Sequence, residues 1–117
     1  MQTERLLNTF LSYAQIGSES THEGAVAARI AEDLRAAGCQ VSVDESGART
    51  GSETDNLYCT LPGNAPGDPI LLAAHMDTVV PGAGVKPVLQ DGIIRSGGDT
   101  VLGGDDKSGV AAIVEVL

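Results

Sequence analysis

A histidine and an aspartate one residue apart, His75 and Asp77, follow an apolar run over residues 70–74. In an extended chain the two side chains point to the same face, which at the carboxyl end of a buried strand opens into a ligand-binding crevice. An imidazole nitrogen is a good zinc ligand, and a nearby carboxylate can orient the ring and fix its tautomer. A strand-end histidine hydrogen-bonded to a neighbour gives the same pattern, so the pair alone indicates a metal site only weakly.

A second chemical cluster is the sequence Gly-Gly-Asp-Asp at 103–106, which precedes a predicted helix. Divalent cations favour carboxylate oxygens, and one carboxylate can bridge two ions. An aspartate at a helix start also often caps the helix and meets the positive end of its dipole. By itself, therefore, such a cluster is more often structural.

Two amphipathic helices are predicted at the beginning of the chain. Apolar residues recur at helical spacing from Thr3 to Ala14, and Gly17 ends the pattern. The sequence from Ser20 to Glu23 has the Ser-x-x-Glu form of a capping box, and the apolar stripe that follows ends at Gly38.

Strands are predicted next. Residues 39–43 alternate between apolar and polar types, as in a half-buried strand, and 56–61 form a further short strand. After a loop rich in Pro and Gly, the continuous apolar run 70–74 is typical of a strand buried on both faces of a mostly parallel sheet. We predict it to be the central strand.

The rest of the chain contains a hairpin and a helix. Asp91-Gly92 between two apolar pairs is a hairpin signal, and a helix is predicted from about Asp106 to the last residue. This order of elements predicts an α/β fold in which helices pack on a mixed, mostly parallel sheet.

Composition limits the classes of partner. A chain of 117 residues is enough for one small domain, and a formal charge of -9 disfavours nucleic acid and anionic membranes. The sequence has neither an amino-terminal signal pattern nor an apolar run approaching ~18 residues, so we expect a cytoplasmic protein. Cys39 and Cys59 lack metal-ligand spacing, and we expect reduced thiols that serve packing.

Taken together, the two clusters carry a family resemblance. The sequence from Leu71 to Val79 resembles the first metal motif of the peptidase T branch of dinuclear zinc exopeptidases, and that from Thr100 to Ala111 resembles the second, at the expected separation. Relatives in this family are carboxypeptidase G, aminoacylase and succinyl-diaminopimelate desuccinylase. The resemblance extends over the whole chain and implies a zinc-exopeptidase-like sandwich that is incomplete at its carboxyl end.

The resemblance implies a role for each matched residue. His75 corresponds to a ligand of one zinc, Asp77 to the catalytic carboxylate that orients it, and Asp105 to the carboxylate that bridges two zinc ions. Asp106 is a candidate for contacting a metal ligand without binding the metal itself. The peptide bond between Asp105 and Asp106 is expected to be cis. The implied chemistry is hydrolysis of the amino-terminal bond of short peptides by water activated between two zinc ions, for which cobalt or manganese could substitute.

The resemblance also implies that parts of the enzyme lie elsewhere. The family requires a general-base Glu, further acidic ligands, a distal His and a separate lid and dimerisation domain, none of which can be identified in residues 1–117. We therefore expect residues 1–117 to be the amino-terminal segment of a catalytic domain, with zero or one bound zinc and no activity alone. Exposed apolar surface should favour self-association or a homo-oligomer.

Other interpretations remain open. The longer protein could be a deacylase or carboxypeptidase instead of a tripeptidase or aminopeptidase, or the chain could be a non-catalytic assembly module with relic ligands. His22, in the first turn of a predicted helix, is expected to be a solvated surface residue, and Glu115 is expected to face solvent or pair two helices.

Overall fold

The computed structural model describes residues 2–117, which form four helices and four short strands. In chain order these are α1 (Thr3–Gln15), α2 (Gly24–Ala36), β1 (Gln40–Val43), α3 (Ser46–Thr50), β2 (Leu57–Thr60), β3 (Pro87–Gln90), β4 (Ile93–Ser96) and α4 (Gly104–Val116). The predicted helices α1, α2 and α4 are confirmed, while the five-residue helix α3 lies in a polar stretch for which no element was predicted.

The core is formed by helices α1, α2 and α4 together with the start of β1. Because the chain has one Phe and no Trp, small and aliphatic side chains fill most of this core. Its buried members are Phe10, Tyr13, Ala14, Val26, Ile30, Leu34, Cys39, Val110 and Ala111.

Helices α1 and α4 are joined by a buried acidic side chain at one end. The Glu115 carboxylate accepts hydrogen bonds from Arg5 Nε at 2.6 Å and from the Gln2 backbone N–H at 2.5 Å. The hydrogen bond from Arg5 is the main reason why the pKa of Glu115 lies below its usual value. Glu115 thus pairs two helices, which confirms one of the two roles expected for it.

The strands form two separate antiparallel pairs. Val41 of β1 lies opposite Cys59 of β2. Strands β3 and β4 form the predicted hairpin, in which Asp91 and Gly92 have the positive φ angles of 52° and 75° that such a tight turn requires.

The predicted mostly parallel sheet is wrong for residues 2–117. Parallel pairing within this range is limited to an isolated bridge between Glu19 and Thr78. The predicted central strand, 70–74, has no strand partner among the described residues, and Ile70 and Leu71 are 87% and 90% exposed. A central strand needs strands paired at its edges and helices packed on its faces, and residues 2–117 supply no strand that pairs with 70–74.

The predicted capping box at the start of α2 is also wrong. The helix begins at Gly24, after a turn in which Thr21 has a φ angle of 74°, and the side chain of the preceding residue, Glu23, makes no capping hydrogen bond. The Gly24 N–H donates to Glu53 Oε2 at 3.3 Å. The Glu23 carboxylate accepts hydrogen bonds from the Thr21 backbone and the Ser52 hydroxyl instead. Ser20 is therefore too far upstream to cap the helix, and its hydroxyl has another partner.

Cys39 and Cys59 are free thiols, as predicted. Cys39, just before β1, is buried, and Cys59 on β2 is half-buried. Burial, with a smaller effect of the Cys39 thiol, raises the pKa of Cys59 to about 11.

Among residues 2–117, no helix combines the length and apolarity that a membrane crossing requires.

Tyr13 is fully buried, and its hydroxyl donates a hydrogen bond of 2.7 Å to Asp33 Oδ2 between α1 and α2. Burial, followed by this hydrogen bond, raises the pKa of Tyr13 well above its ordinary value of 10.0. Because the folded pKa is the higher one, the stabilising contribution is complete below pH 10 and is lost as the pH rises further.

We expect Tyr13→Phe to lower the free energy of unfolding by about 1 kcal/mol at neutral pH, since one buried hydrogen bond is lost. Urea titrations between about pH 7 and pH 11 should show the stability of the unmodified chain falling toward that of the variant above pH 10. A constant difference across this range would contradict the assignment.

The exposed and unpaired segment 70–74 leads to a second prediction. An unpaired apolar strand is a template for pairing with another chain, so the 117-residue chain should self-associate as its concentration rises. Light scattering after gel filtration should show that Leu71→Lys shifts the chain toward monomer. Lys substitution of Val116, which is exposed but lies on α4, is the matched control and should leave the association unchanged.

Candidate metal centre

Two arms of the chain meet at one cleft. The first arm, residues 75–78, follows the exposed apolar segment 70–74. The second arm, residues 103–106, forms the irregular start of α4. His75 Nε2 and Asp105 Oδ1 lie 3.3 Å apart across the gap between the arms. The cleft has a volume of about 430 Å³ and is lined by His75, Asp77, Thr78, Val79, Val101, Leu102, Gly103, Gly104 and Asp105.

The two ring nitrogens of His75 have different surroundings. Nδ1 lies 3.0 Å from the Asp77 carbonyl oxygen and 3.1 Å from Asp77 Oδ1, both of which are acceptors. These contacts favour the tautomer with the proton on Nδ1, because that nitrogen can then donate to either oxygen. Nε2 faces Asp105 Oδ1 at 3.3 Å and is the nitrogen that a metal ion held between the two side chains would take.

Charge and hydrogen bonding set the ionisation of His75 and Asp77. Burial lowers the pKa of His75, but the hydrogen bonds and negative charges of Asp77 and Asp105 outweigh it, and the pKa is raised. The hydrogen bond from Ser20 is the largest cause of the lowered pKa of Asp77, and the charge of His75 adds to it. Asp77 is thereby kept ionised as an acceptor for the imidazole N–H.

A connection between α1 and α2, residues 16–20, holds both arms, and we call it the anchor segment. Ser18 Oγ donates to the Met76 carbonyl at 2.8 Å, and Ser18 O accepts from the Thr78 backbone N–H at 2.8 Å. Immediately after the second arm, the Lys107 ammonium donates to the Ile16 carbonyl at 2.6 Å. One short segment thus fixes both arms.

Lys107 is 1% exposed. Burial lowers its pKa to about 8. The Ile16 carbonyl that it contacts lies just beyond the carboxyl end of α1, where the helix dipole favours a positive charge. Lys107 belongs to the second sequence motif, but the sequence alone did not single it out as a functional residue.

The second arm enters α4 through an irregular turn. The Asp105–Asp106 peptide bond is cis, as the family resemblance implied. Both aspartates have non-helical backbone angles, and Asp106 Oδ1 accepts a hydrogen bond of 3.1 Å from the Gly109 N–H. Regular helix therefore begins at Lys107, with Asp106 as its cap, while the Asp105 side chain is 96% exposed and available to a ligand.

The donor chemistry fits a zinc ion, but the number of donors is incomplete. Zinc takes imidazole nitrogen and carboxylate oxygen, commonly with four ligands in total. Within residues 2–117, no group of three or more His, Cys, Asp and Glu side chains is arranged to hold a metal. His75 and Asp105 could therefore supply two ligands of a centre.

His22 is exposed, as predicted, and its ring lies 3.4 Å from the neighbouring Thr21 hydroxyl.

Ser20 is a residue near the cleft that sequence reasoning missed. Its hydroxyl donates to Asp77 Oδ2 at 2.5 Å, although 57 positions separate the two residues. The Ser-x-x-Glu pattern directed attention to a helix cap, and the sequence contains no signal that connects Ser20 with Asp77.

Comparison with known proteins gives close matches over nearly the whole chain. A tripeptidase from Staphylococcus aureus subsp. aureus Mu50 superposes with a TM-score of 0.95 and 42% identity over 99% of this chain. Aminopeptidase PepT from Bacillus cereus ATCC 10987 superposes with a TM-score of 0.89 and 39% identity over 98% of it. Uncharacterized protein YqjE of Bacillus subtilis strain 168 is 43% identical over 114 residues, or 97% of the chain.

These matches confirm the resemblance to peptidase T-type chains for residues 1–117. The chain spans 31% of the length of each of the three proteins. No protein-family model matches the sequence.

The cap at the start of α4 generates a test of the second arm. A methyl group on Gly109 would lie 2.4 Å from Asp106 Oδ1, whereas one on Gly104 would meet nothing within 4 Å. Gly109→Ala should displace the Asp106 carboxylate and cost about 1 kcal/mol or more relative to Gly104→Ala. Urea denaturation of both variants measures this difference, and equal stabilities would argue against the cap.

Proposed function

Because this chain is similar to peptidase T-type tripeptidase and aminopeptidase chains over nearly its whole length, we propose that it is the part of a longer metallopeptidase that supplies His75 and Asp105 to a two-zinc centre. The longer protein hydrolyses the amino-terminal peptide bond of short peptides. The observation that carries the proposal is the 3.3 Å approach of His75 Nε2 to Asp105 Oδ1, with Asp77 on the opposite ring nitrogen.

Each residue has a distinct part in this proposal. His75 offers Nε2 to one ion, Asp105 offers its carboxylate, and Asp77 holds the proton on His75 Nδ1. Zinc in such a centre acts as a Lewis acid and lowers the pKa of water. Val79, Val101 and Leu102 contribute apolar residues to the lining of the cleft.

The remaining ligands and the general base belong to other parts of the longer protein. Two ligands are too few for a closed zinc centre. We therefore propose that the 117-residue chain is inactive alone and binds at most one zinc ion. Short peptides are the proposed substrates, since the two solved structures are described as a tripeptidase and an aminopeptidase.

The test uses the longer protein with His75→Ala, Asp105→Ala and the matched control His22→Ala. We expect the first two variants to lose bound zinc, measured by elemental analysis, and to lose hydrolysis of a free tripeptide by more than about 100-fold. His22→Ala should retain both, because this histidine is exposed and its ring contacts the hydroxyl of the neighbouring Thr21.

Substrate pairs separate the alternatives. Cleavage of a free tripeptide but not of its amino-terminally acetylated form supports an aminopeptidase, and the reverse preference indicates a deacylase. Release of the last residue indicates a carboxypeptidase. If the unmodified longer protein binds no zinc and hydrolyses none of these compounds, the chain belongs to a non-catalytic module and the proposal is wrong.

A further inference from the structure

The Asp77 carboxylate is held on both of its oxygens. Oδ1 lies 3.1 Å from His75 Nδ1, and Oδ2 accepts the hydrogen bond of 2.5 Å from the Ser20 hydroxyl. Two directed contacts on opposite oxygens fix the plane of the carboxylate as well as its position. Ser20 thus completes a chain of contacts that runs from the anchor segment through Asp77 to the ring of His75.

Backbone contacts place the Ser20 hydroxyl independently of Asp77. The Ser20 N–H donates to Thr78 O at 3.1 Å, and the Thr78 N–H donates to Ser18 O at 2.8 Å. The intervening Glu19 carboxylate also accepts from the Gly82 N–H at 2.7 Å. Because these bonds do not use the Ser20 side chain, replacing Ser20 by Ala should remove the hydroxyl and leave the backbone in place.

We propose that Ser20 is a positioning residue of the metal centre. Its hydroxyl holds Asp77 in the orientation that accepts the His75 Nδ1 proton, so that Nε2 is the nitrogen presented to a divalent cation. The part of this inference that concerns the cation rests on the proposed function, whereas the effect of Ser20 on the His75 ring does not.

The physical basis is the strength of a hydrogen bond to an ionised carboxylate. Such bonds are shorter than neutral ones and about twice as strong, and the 2.5 Å distance from the Ser20 hydroxyl to Asp77 Oδ2 is that of such a bond. Without it, the half-exposed carboxylate can turn toward solvent, and the proton of His75 is no longer confined to Nδ1. A metal then competes with a proton on Nε2, which weakens its binding.

The first measurement is the tautomer of His75 from nitrogen NMR shifts of the 117-residue chain at about pH 9.5, which is high enough to leave the ring mostly neutral although its pKa is raised. The chain contains only two histidines, so His22→Ala assigns the signals. We expect a Nδ1-protonated ring in the unmodified chain, a mixture of tautomers in Ser20→Ala and recovery in Ser20→Thr. The matched control Ser52→Ala, which removes a hydroxyl bonded to the Glu23 carboxylate and not to Asp77, should keep the Nδ1-protonated form.

The second measurement is zinc affinity by calorimetry in the longer protein. Ser20→Ala should raise the dissociation constant by about 10-fold, which is the lower end of the effect of removing a group that orients a metal ligand. The same change in an Asp77→Ala background should have no further effect, because Ser20 acts through Asp77. A purely structural role of Ser20 would instead give equal losses in both backgrounds.

The outcomes separate this inference from the proposed function. An unchanged His75 tautomer in Ser20→Ala overturns the positioning role, whatever the zinc result. A changed tautomer in a longer protein that binds no zinc supports the action of Ser20 on the ring and overturns the proposed metal centre. Equal zinc losses with and without Asp77 overturn the route through Asp77.

Discussion

The site depends on one constraint, the attachment of two distant parts of the chain to the anchor segment, residues 16–20. The arm with His75 is bonded to this segment through Ser18, and the arm with Asp105 through Lys107. Since the sheet-like pairing of the first arm within residues 2–117 is limited to the isolated bridge between Glu19 and Thr78, these bonds replace the support that a sheet would give. The 3.3 Å approach of His75 to Asp105 follows from this shared support.

Local patterns predicted the elements that depend on local chemistry. The apolar stripe of α1, the glycine after α2 and the Asp91-Gly92 turn each specify a structure within a few residues, and the model has each of them. The five-residue helix α3 was missed because it has no apolar periodicity. Its neighbourhood is organised instead by Asp44, which accepts hydrogen bonds from the backbones of Ser46 and Asn56.

The candidate site was predictable only in part. His75, Asp77 and Asp105 could be selected because their residue types and motifs carry chemical meaning, and the structure brings them to one cleft. Ser20 and Lys107 could not be assigned contacts, since they depend on which segments meet in space. The parallel sheet failed for a related reason: an apolar run such as 70–74 predicts burial but does not identify what buries it.

The contacts between α1 and α4 have a consequence for how α4 can move. Glu115 contacts the amino end of α1 through Gln2 and Arg5, and Lys107 contacts the carbonyl beyond its other end. Each charge therefore complements the α1 dipole at the end where it lies. Sliding α4 by a single residue, about 1.5 Å, would strain both contacts at once. The axial position of α4, and with it the depth at which Asp105 enters the cleft, is set by charges at both ends of a neighbouring helix.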